Sequence, residues 1–177
     1  MLHRLEILFI ILSGVRIIIS YVEGGDYVDD RLFKTAMGKF ATGVTVVTTE
    51  WENENHGMTA NAFMSVSLDP KLVLISVANN ARIKPMIEDT KAFAISILAD
   101  DHADVSMHFA RQKEKEDISF VNFGGVPTID GAIATIVCDL HDTSLQGDHT
   151  LFIGKVRDVA VNDRKPLVYY QGSYKHI

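Results

Sequence analysis

Three short segments carry residue types and spacings that can do chemistry. Gly147-Asp148-His149 is the most specific of them. Glycine permits a turn that a side chain would hinder, and an adjacent aspartate can hold His149 in one tautomer. The plainer alternative is a turn aspartate beside a surface histidine. Asn80-Ala81-Arg82-Ile83-Lys84 opens an expected helix. A helix N-terminus with Arg82 and Lys84 close by suits an anion; the alternative is a charged, solvated first turn. Thr59-Ala60-Asn61-Ala62 has small side chains that let backbone N–H and C=O groups approach a ligand. Asn61 can both donate and accept there. Ser65, Val66 and Ser67 follow and alternate across a strand, either as ligand hydroxyls or as a solvated strand face.

Several chemistries have no support. No G-x-G-x-x-G follows a strand, and no G-x-x-x-x-G-K-[ST] is present. No G-x-S-x-G elbow argues for a hydrolase. CxxC and HExxH are both missing and the seven histidines are scattered, so no metal is expected. His56, His102, His108, His141 and His176 read as structural or surface residues. The net charge of -6 speaks against nucleic acid, which needs a basic face. Cys138 is the single cysteine, so no intrachain disulfide can form. That fits a cytoplasmic protein, and Cys138 reads as a small core residue in mid-strand.

The elements that must position these residues follow from patterning. The 177 residues are 47% hydrophobic, which suits one globular domain with a substantial core. Asp29 or Asp30 caps an amphipathic helix over residues 30–41 that Gly43 ends. Strands are expected over 44–49, 58–68, 72–78, 92–98, 133–143 and 150–161, with a last short one near 167–170. Residues 50–57 read as a turn, and 111–130 and 144–149 as loops. Asn79 or Asn80 caps a helix reaching Asp89, which Pro85 shortens or bends. A further helix covers 100–110. Strands that mostly follow one another point to an antiparallel barrel with peripheral helices, and away from a doubly wound sheet.

Residues 1–27 look foreign to this plan. Ile7 to Leu12 form an apolar run and Ile17 to Ile19 a second patch. Arg16 interrupts them short of the roughly 20 residues of a membrane span, and no A-x-A-like cleavage site follows. Glu23-Gly24-Gly25-Asp26 can be encoded by GAA-GGA-GGT-GAT, a bacterial ribosome-binding sequence. Val28 sits a short distance downstream, where GTG would serve as a start codon. The expectation is that residues 1–27 are upstream-translated or otherwise non-native, and that the domain is 28–177.

Three longer stretches carry a family resemblance. They are Ala36 to Thr49 (AMGKFATGVTVVTT), Gly57 to Pro70 (GMTANAFMSVSLDP) and Gly147 to Val156 (GDHTLFIGKV). In this order and spacing the chain resembles the short-chain flavin reductase family with the FMN-binding split-barrel fold. Within it, the chain is most similar to reductase components of two-component phenol and 4-hydroxyphenylacetate monooxygenases. The resemblance runs from about Val28 to the C-terminus. It implies a mainly β fold, a six-stranded antiparallel Greek-key split β-barrel with peripheral helices.

The resemblance also implies a homodimer with flavin near the interface, and reduction of FMN or FAD by NADH or NADPH. Reduced flavin would reach a larger monooxygenase by diffusion; neither nucleic acid nor membrane is an expected partner. It assigns Thr59, Ala60, Asn61 and Ala62 to the flavin ring, and Ser65, Val66 and Ser67 to the ribityl chain or phosphate. Asn80, Arg82 and Lys84 fall in the phosphate region. Phe109 and Ala110 line the flavin site, with Phe109 as simple core the alternative. Gly147, Asp148 and His149 contact the nicotinamide dinucleotide, with His149 the catalytic candidate, and Tyr174 lies near the site. Two other readings remain: a split-barrel flavin or electron-transfer module that does not use NAD(P)H, and a pyridoxamine phosphate oxidase-like enzyme.

Overall fold

The computed structural model describes residues 5–12, 15–22 and 28–177. It divides into two compact units, Met1–Lys39 and Phe40–Ile177. In the first, β1 (Leu5–Leu12) pairs antiparallel with β2 (Val15–Val22). Residues 1–4, 13–14 and 23–27 of the segment expected to be non-native lie outside the described residues. The same unit holds α1 (Asp30–Met37). Asp29 caps it, its carboxylate accepting from the Leu32 N–H at 2.8 Å. The helix stops at Gly38 and does not run to residue 41. Gly43, expected to end it, instead belongs to β3 (Thr42–Gly43), which pairs with a strand near the C-terminus.

The second unit is built from β4 (Thr45–Trp51), β5 (Glu54–Ala60), β6 (Phe63–Leu68), β7 (Lys71–Ala78), α2 (Ile83–Thr90), β8 (Ala92–Ile97), α3 (Ala103–Phe109), β9 (Phe120–Phe123), β10 (Val126–Ile129), β11 (Ala134–Gln146), β12 (His149–Val161), β13 (Val168–Tyr170) and β14 (Ser173–Lys175). Seven of these strands form one antiparallel sheet in the order β5-β4-β8-β11-β12-β7-β6. Its two edge strands are consecutive in sequence, and only Asn61 and Ala62 separate them. The chain therefore passes directly from one edge to the other, so the sheet curls on itself. Taken as one bent strand, β5 and β6 make the six strands of the expected barrel.

Period-two alternation drives the closure. In β7 the side chains of Val73, Ile75 and Val77 are buried while their neighbours are partly exposed. They meet Val47, Phe93, Ile95, Cys138 and Phe152 in one apolar cluster, which Ile83 and Ile87 of α2 cap. Cys138 is fully buried, and burial pushes its thiol up to about 12. It packs as a small apolar residue.

The remaining departures from expectation lie in the connections. The 50–57 turn is only Glu52-Asn53, both at positive φ, the signature of a type I′ hairpin that lets β5 begin at Glu54. The 111–130 loop contains the β9–β10 hairpin. Thr48 donates to the carbonyl of Pro127, and the N–H of Ile129 donates to Ser96 Oγ at 3.0 Å. These bonds hold β10 against the barrel. The 144–149 loop shrinks to Gly147-Asp148, because β11 and β12 extend to Gln146 and His149. Neither Asn79 nor Asn80 caps α2: its N-cap is Arg82, which makes no side-chain capping bond. Pro85 lies in the first turn, where a missing N–H costs no helical bond.

Candidate functional site

Three contiguous clefts run along β5 between the start of α2 and the end of α3. The middle one, about 430 Å3, is lined by Gly57, Met58 and Thr59 from β5, by Asn80 to Ile83, and by Phe109, Ala110 and Arg111. An outer cleft of about 570 Å3 shares Gly57, Arg82, Phe109 and Arg111 with it. An inner one of about 170 Å3 shares Thr59 and Ala110, and adds Ala60, Asn61, Ser106, Tyr169 and Tyr174. The two larger volumes fall within the roughly 300–1,000 Å3 of small-molecule sites.

At the middle cleft the Phe109 ring packs directly on the Gly57 backbone. A Cβ at Gly57 would lie 2.5 Å from Phe109 Cε1 and 2.7 Å from Cδ1. Only a bare backbone allows the ring so close. The slot thus offers one aromatic edge, small residues (Thr59, Ala81, Ala110) and a guanidinium at one end. Those groups fit a flat heteroaromatic ring carrying a phosphate-bearing tail.

The inner cleft is fixed by a hydrogen-bond chain. Thr59 Oγ1 donates to the carbonyl of Ser106 at 2.6 Å, and Ser106 Oγ pairs with the Tyr174 hydroxyl at 2.8 Å. Ser106 is fully buried, and Tyr174 also packs edge-on against Tyr169 at 5.5 Å. Ser106 escaped the sequence reading because nothing in its local pattern distinguishes it from any other helical serine.

Gly147-Asp148 forms the two-residue turn between β11 and β12. Gly147 has φ +58 while Asp148 is not at positive φ, as in a type II′ turn. His149 opens β12 opposite Ala78 of β7. Its Nδ1 lies 2.7 Å from Asp148 Oδ1, and this hydrogen bond holds the Asp148 carboxyl below its usual range. The contact fixes the imidazole against the turn.

Asn79 ties this turn to the slot. Its N–H donates to the Asp148 carbonyl at 2.9 Å and its Nδ2 to the Gly147 carbonyl at 3.2 Å. Thr150 Oγ1 donates back to Asn79 Oδ1 at 2.8 Å. The next residue, Asn80, lines the slot. Asn79 was expected only as a helix cap; the hairpin uses it instead. Asn79→Ala removes two of the three bonds and loosens the His149 turn. The KM for NADH should rise roughly 2- to 10-fold, with kcat less affected. An unchanged KM in steady-state assays would remove Asn79 from this role.

The other expected site residues are distributed unevenly. Thr59, Ala60, Asn61, Asn80, Arg82, Phe109, Ala110 and Tyr174 line the three clefts. Phe109 both lines the slot and packs at the margin of a second core cluster. Ala62 turns the chain at the barrel edge, its carbonyl accepting from the Ser76 N–H at 3.1 Å. Ser65, Val66 and Ser67 lie on the edge strand β6 and line none of these clefts. Lys84 points along its own helix, 2.5 Å from Glu88. His56 and His108, expected as surface or structural residues, line the outer cleft. His102 is tucked beside Asp101 and Arg164, and burial lowers its pKa despite the nearby aspartates. Among the described residues, no group of three or more His, Cys, Asp or Glu is placed to hold a metal ion. None of their helices is long and apolar enough to cross a membrane.

Residues 37–177 match the family described as flavin reductase like domain. The chain belongs to that family. Among flavin reductases, an NADH-dependent flavin reductase of a Rhodococcus species is 46% identical over 148 residues, covering 81% of this chain and 84% of the relative. The reductase component of 4-hydroxyphenylacetate 3-monooxygenase from Thermus thermophilus is 40% identical over 146 residues, covering 82% and 95%. The solved structure of the flavin reductase PheA2 superposes with TM-score 0.83 at 50% identity, covering 85% of this chain and 99% of that one. The flavin reductase fold is thus this chain's own.

Proposed function

We propose that this chain reduces FMN or FAD with NADH or NADPH and releases reduced flavin to a partner monooxygenase that hydroxylates an aromatic compound. The observation that carries the reading is the His149 turn, tied by Asn79 to the mouth of the Gly57–Phe109 slot. A slot alone would suit a flavin-binding module. A positioned imidazole on the turn that Asn79 holds suits a second planar ligand.

Hydride transfer from the nicotinamide to the flavin is chemistry that the two cofactors supply. The protein's part is to place the rings at near-attack distance, roughly 3 to 3.5 Å. Phe109 and the β5 backbone hold one ring. His149, in the tautomer Asp148 sets, orients the other. Arg82 meets phosphate at the entrance to α2. No side chain needs to act as a nucleophile, and the buried Cys138 thiol is unsuited to it.

A homodimer completes the site in this reading. The edge strand β6 leaves Met64, Val66 and Leu68 exposed, Leu68 by 86%. An uncovered apolar edge strand calls for a partner. A second copy on β6 would also enclose Ser65 and Ser67, which line none of the three clefts. The lone reduced cysteine accords with a cytoplasmic location. The reductase domain is assigned to residues 28–177, and N-terminal sequencing of the chain made from its own gene checks that start.

Anaerobic mixing with NADH or NADPH tests the activity. Bleaching of the oxidised flavin absorbance is expected, with FMN and FAD tried in turn. A chain that binds flavin but bleaches it with neither nicotinamide is a binding module, and the proposal fails.

A further inference from the structure

A fourth cleft, of about 360 Å3, opens at the start of α3 and shares no lining residue with the other three. The His102 ring forms part of its wall, with only 14% of the side chain exposed. Its Nδ1 is buried and has no hydrogen-bond partner among the described residues. Its Nε2 lies 3.7 Å from Asp101 Oδ1, too far for a hydrogen bond. Gly131 closes over the ring: a Cβ there would lie 3.5 Å from Nε2 and 2.6 Å from Arg164 Nη1. Arg164 fastens the arrangement, donating to the Gly131 carbonyl and to the Asp101 carboxylate.

This packing suits a neutral ring. A protonated imidazole carries two N–H donors, and one of them would be stranded on the buried Nδ1. Burial already lowers the pKa of His102 against the pull of Asp101, Asp130 and Asp100, and Arg164 acts with it. The open cleft beside the ring suits the opposite state. Asp104 of α3, Asp117 and Asp130 line it, against Lys115 and Arg164. Asp104 is paired with Lys113, while Asp117 and Asp130 enter no ion pair among the described residues.

We propose that His102 is a proton switch on α3. The neutral ring stays packed beneath Gly131; the protonated ring turns out into the carboxylate-lined cleft and loosens the start of the helix. The effect reaches the inner cleft through one turn of backbone. The His102 carbonyl accepts from the Ser106 N–H at 3.0 Å, and Ser106 bridges Thr59 to Tyr174. Mild acid therefore weakens the hold on flavin. This regulation rests on the flavin reading of those clefts.

Flavin titrations followed by fluorescence quenching, at about pH 7.5 and about pH 5.5, bracket the histidine range. Wild-type affinity for FMN should fall roughly 3- to 10-fold on acidification. His102→Gln keeps a polar side chain but takes no proton, so its affinity should change by less than about 2-fold. The thermal midpoint gives a readout without ligand. The folded chain keeps the ring neutral, while the unfolded chain protonates it near the ordinary value of about 6.5. The stability that His102 contributes is complete above that pH and is lost as pH falls from there through the folded value. The wild-type midpoint should thus drop more on acidification than that of His102→Gln. If His102→Gln does not fold, Asp117→Asn decides. It removes one exposed receiving carboxylate, so the acid transition should move to lower pH.

Equal acid responses of wild type and His102→Gln overturn the proposal and give the titration to His56 or His108, which line the outer cleft. A wild-type flavin affinity that is the same at both pH values overturns it too, as does an unmoved transition in Asp117→Asn. Wild-type protein that binds neither flavin at either pH sinks the flavin reading instead, and the thermal midpoints then still decide the switch.

Discussion

Replacing His149 with alanine should lower kcat/KM for NADH about 5- to 150-fold, the expected loss of one hydrogen bond and of ring positioning, roughly 1 to 3 kcal/mol. Flavin affinity stays nearly constant, because His149 lines none of the three clefts. The effect should stop there if the ring only positions its ligand, its Nδ1 being engaged by Asp148 at 2.7 Å. A fall of many orders of magnitude would mean that His149 moves a proton in the reaction. Lost flavin binding with normal NADH kinetics would mean that the turn serves the other ligand. Stopped-flow bleaching at several NADH concentrations, beside a flavin titration of the same variant, separates these results.

Gly57→Val should weaken flavin binding about 10- to 100-fold. Even the first added carbon would sit 2.5 Å from Phe109 Cε1 and 3.2 Å from Cζ. One of the two must move, and overpacking of this kind costs about 1 to 3 kcal/mol. The ring lines two of the clefts, so its displacement should disturb ligand binding there. Gly57 and Phe109 lie outside the main barrel cluster. The thermal midpoint should therefore drop by only a few degrees, while the flavin dissociation constant changes strongly. Adding Phe109→Ala to Gly57→Val should relieve the clash and recover stability. Unchanged flavin affinity in Gly57→Val would place the flavin elsewhere on the barrel.

Much of the scaffold was legible before any coordinates. Residues 72–78 read as a strand and fall in β7, where the structure buries Val73, Ile75 and Val77. Asp29 was legible as a cap because capping is a three-residue interaction. The β9–β10 hairpin was not, because four-residue strands that contain Asn122 and Pro127 and lie beside Ser119 and Gly124 look like a polar loop. They pair because β10 bonds to Thr48 and Ser96, residues far away in sequence. Asn79 misled for a similar reason. As a side chain before a helix it reads as a cap, yet the Gly147 carbonyl and the Thr150 hydroxyl claim it.

The sequence by itself determined most strands of the large sheet, the turn at Gly147, the His149 candidate and the family. Each of these is written in neighbouring residues, through two-residue periodicity, the φ freedom of glycine and contiguous motifs. Only the tertiary structure decided that Gly57 faces Phe109, that Ser106 bridges Thr59 to Tyr174, and that His56, Arg82 and Arg111 share one cleft. Those residues lie tens of positions apart and have no common period. Their meeting depends on the sheet closing at Asn61-Ala62 and on two short helices docking beside β5, which burial of the whole core sets and no local pattern records.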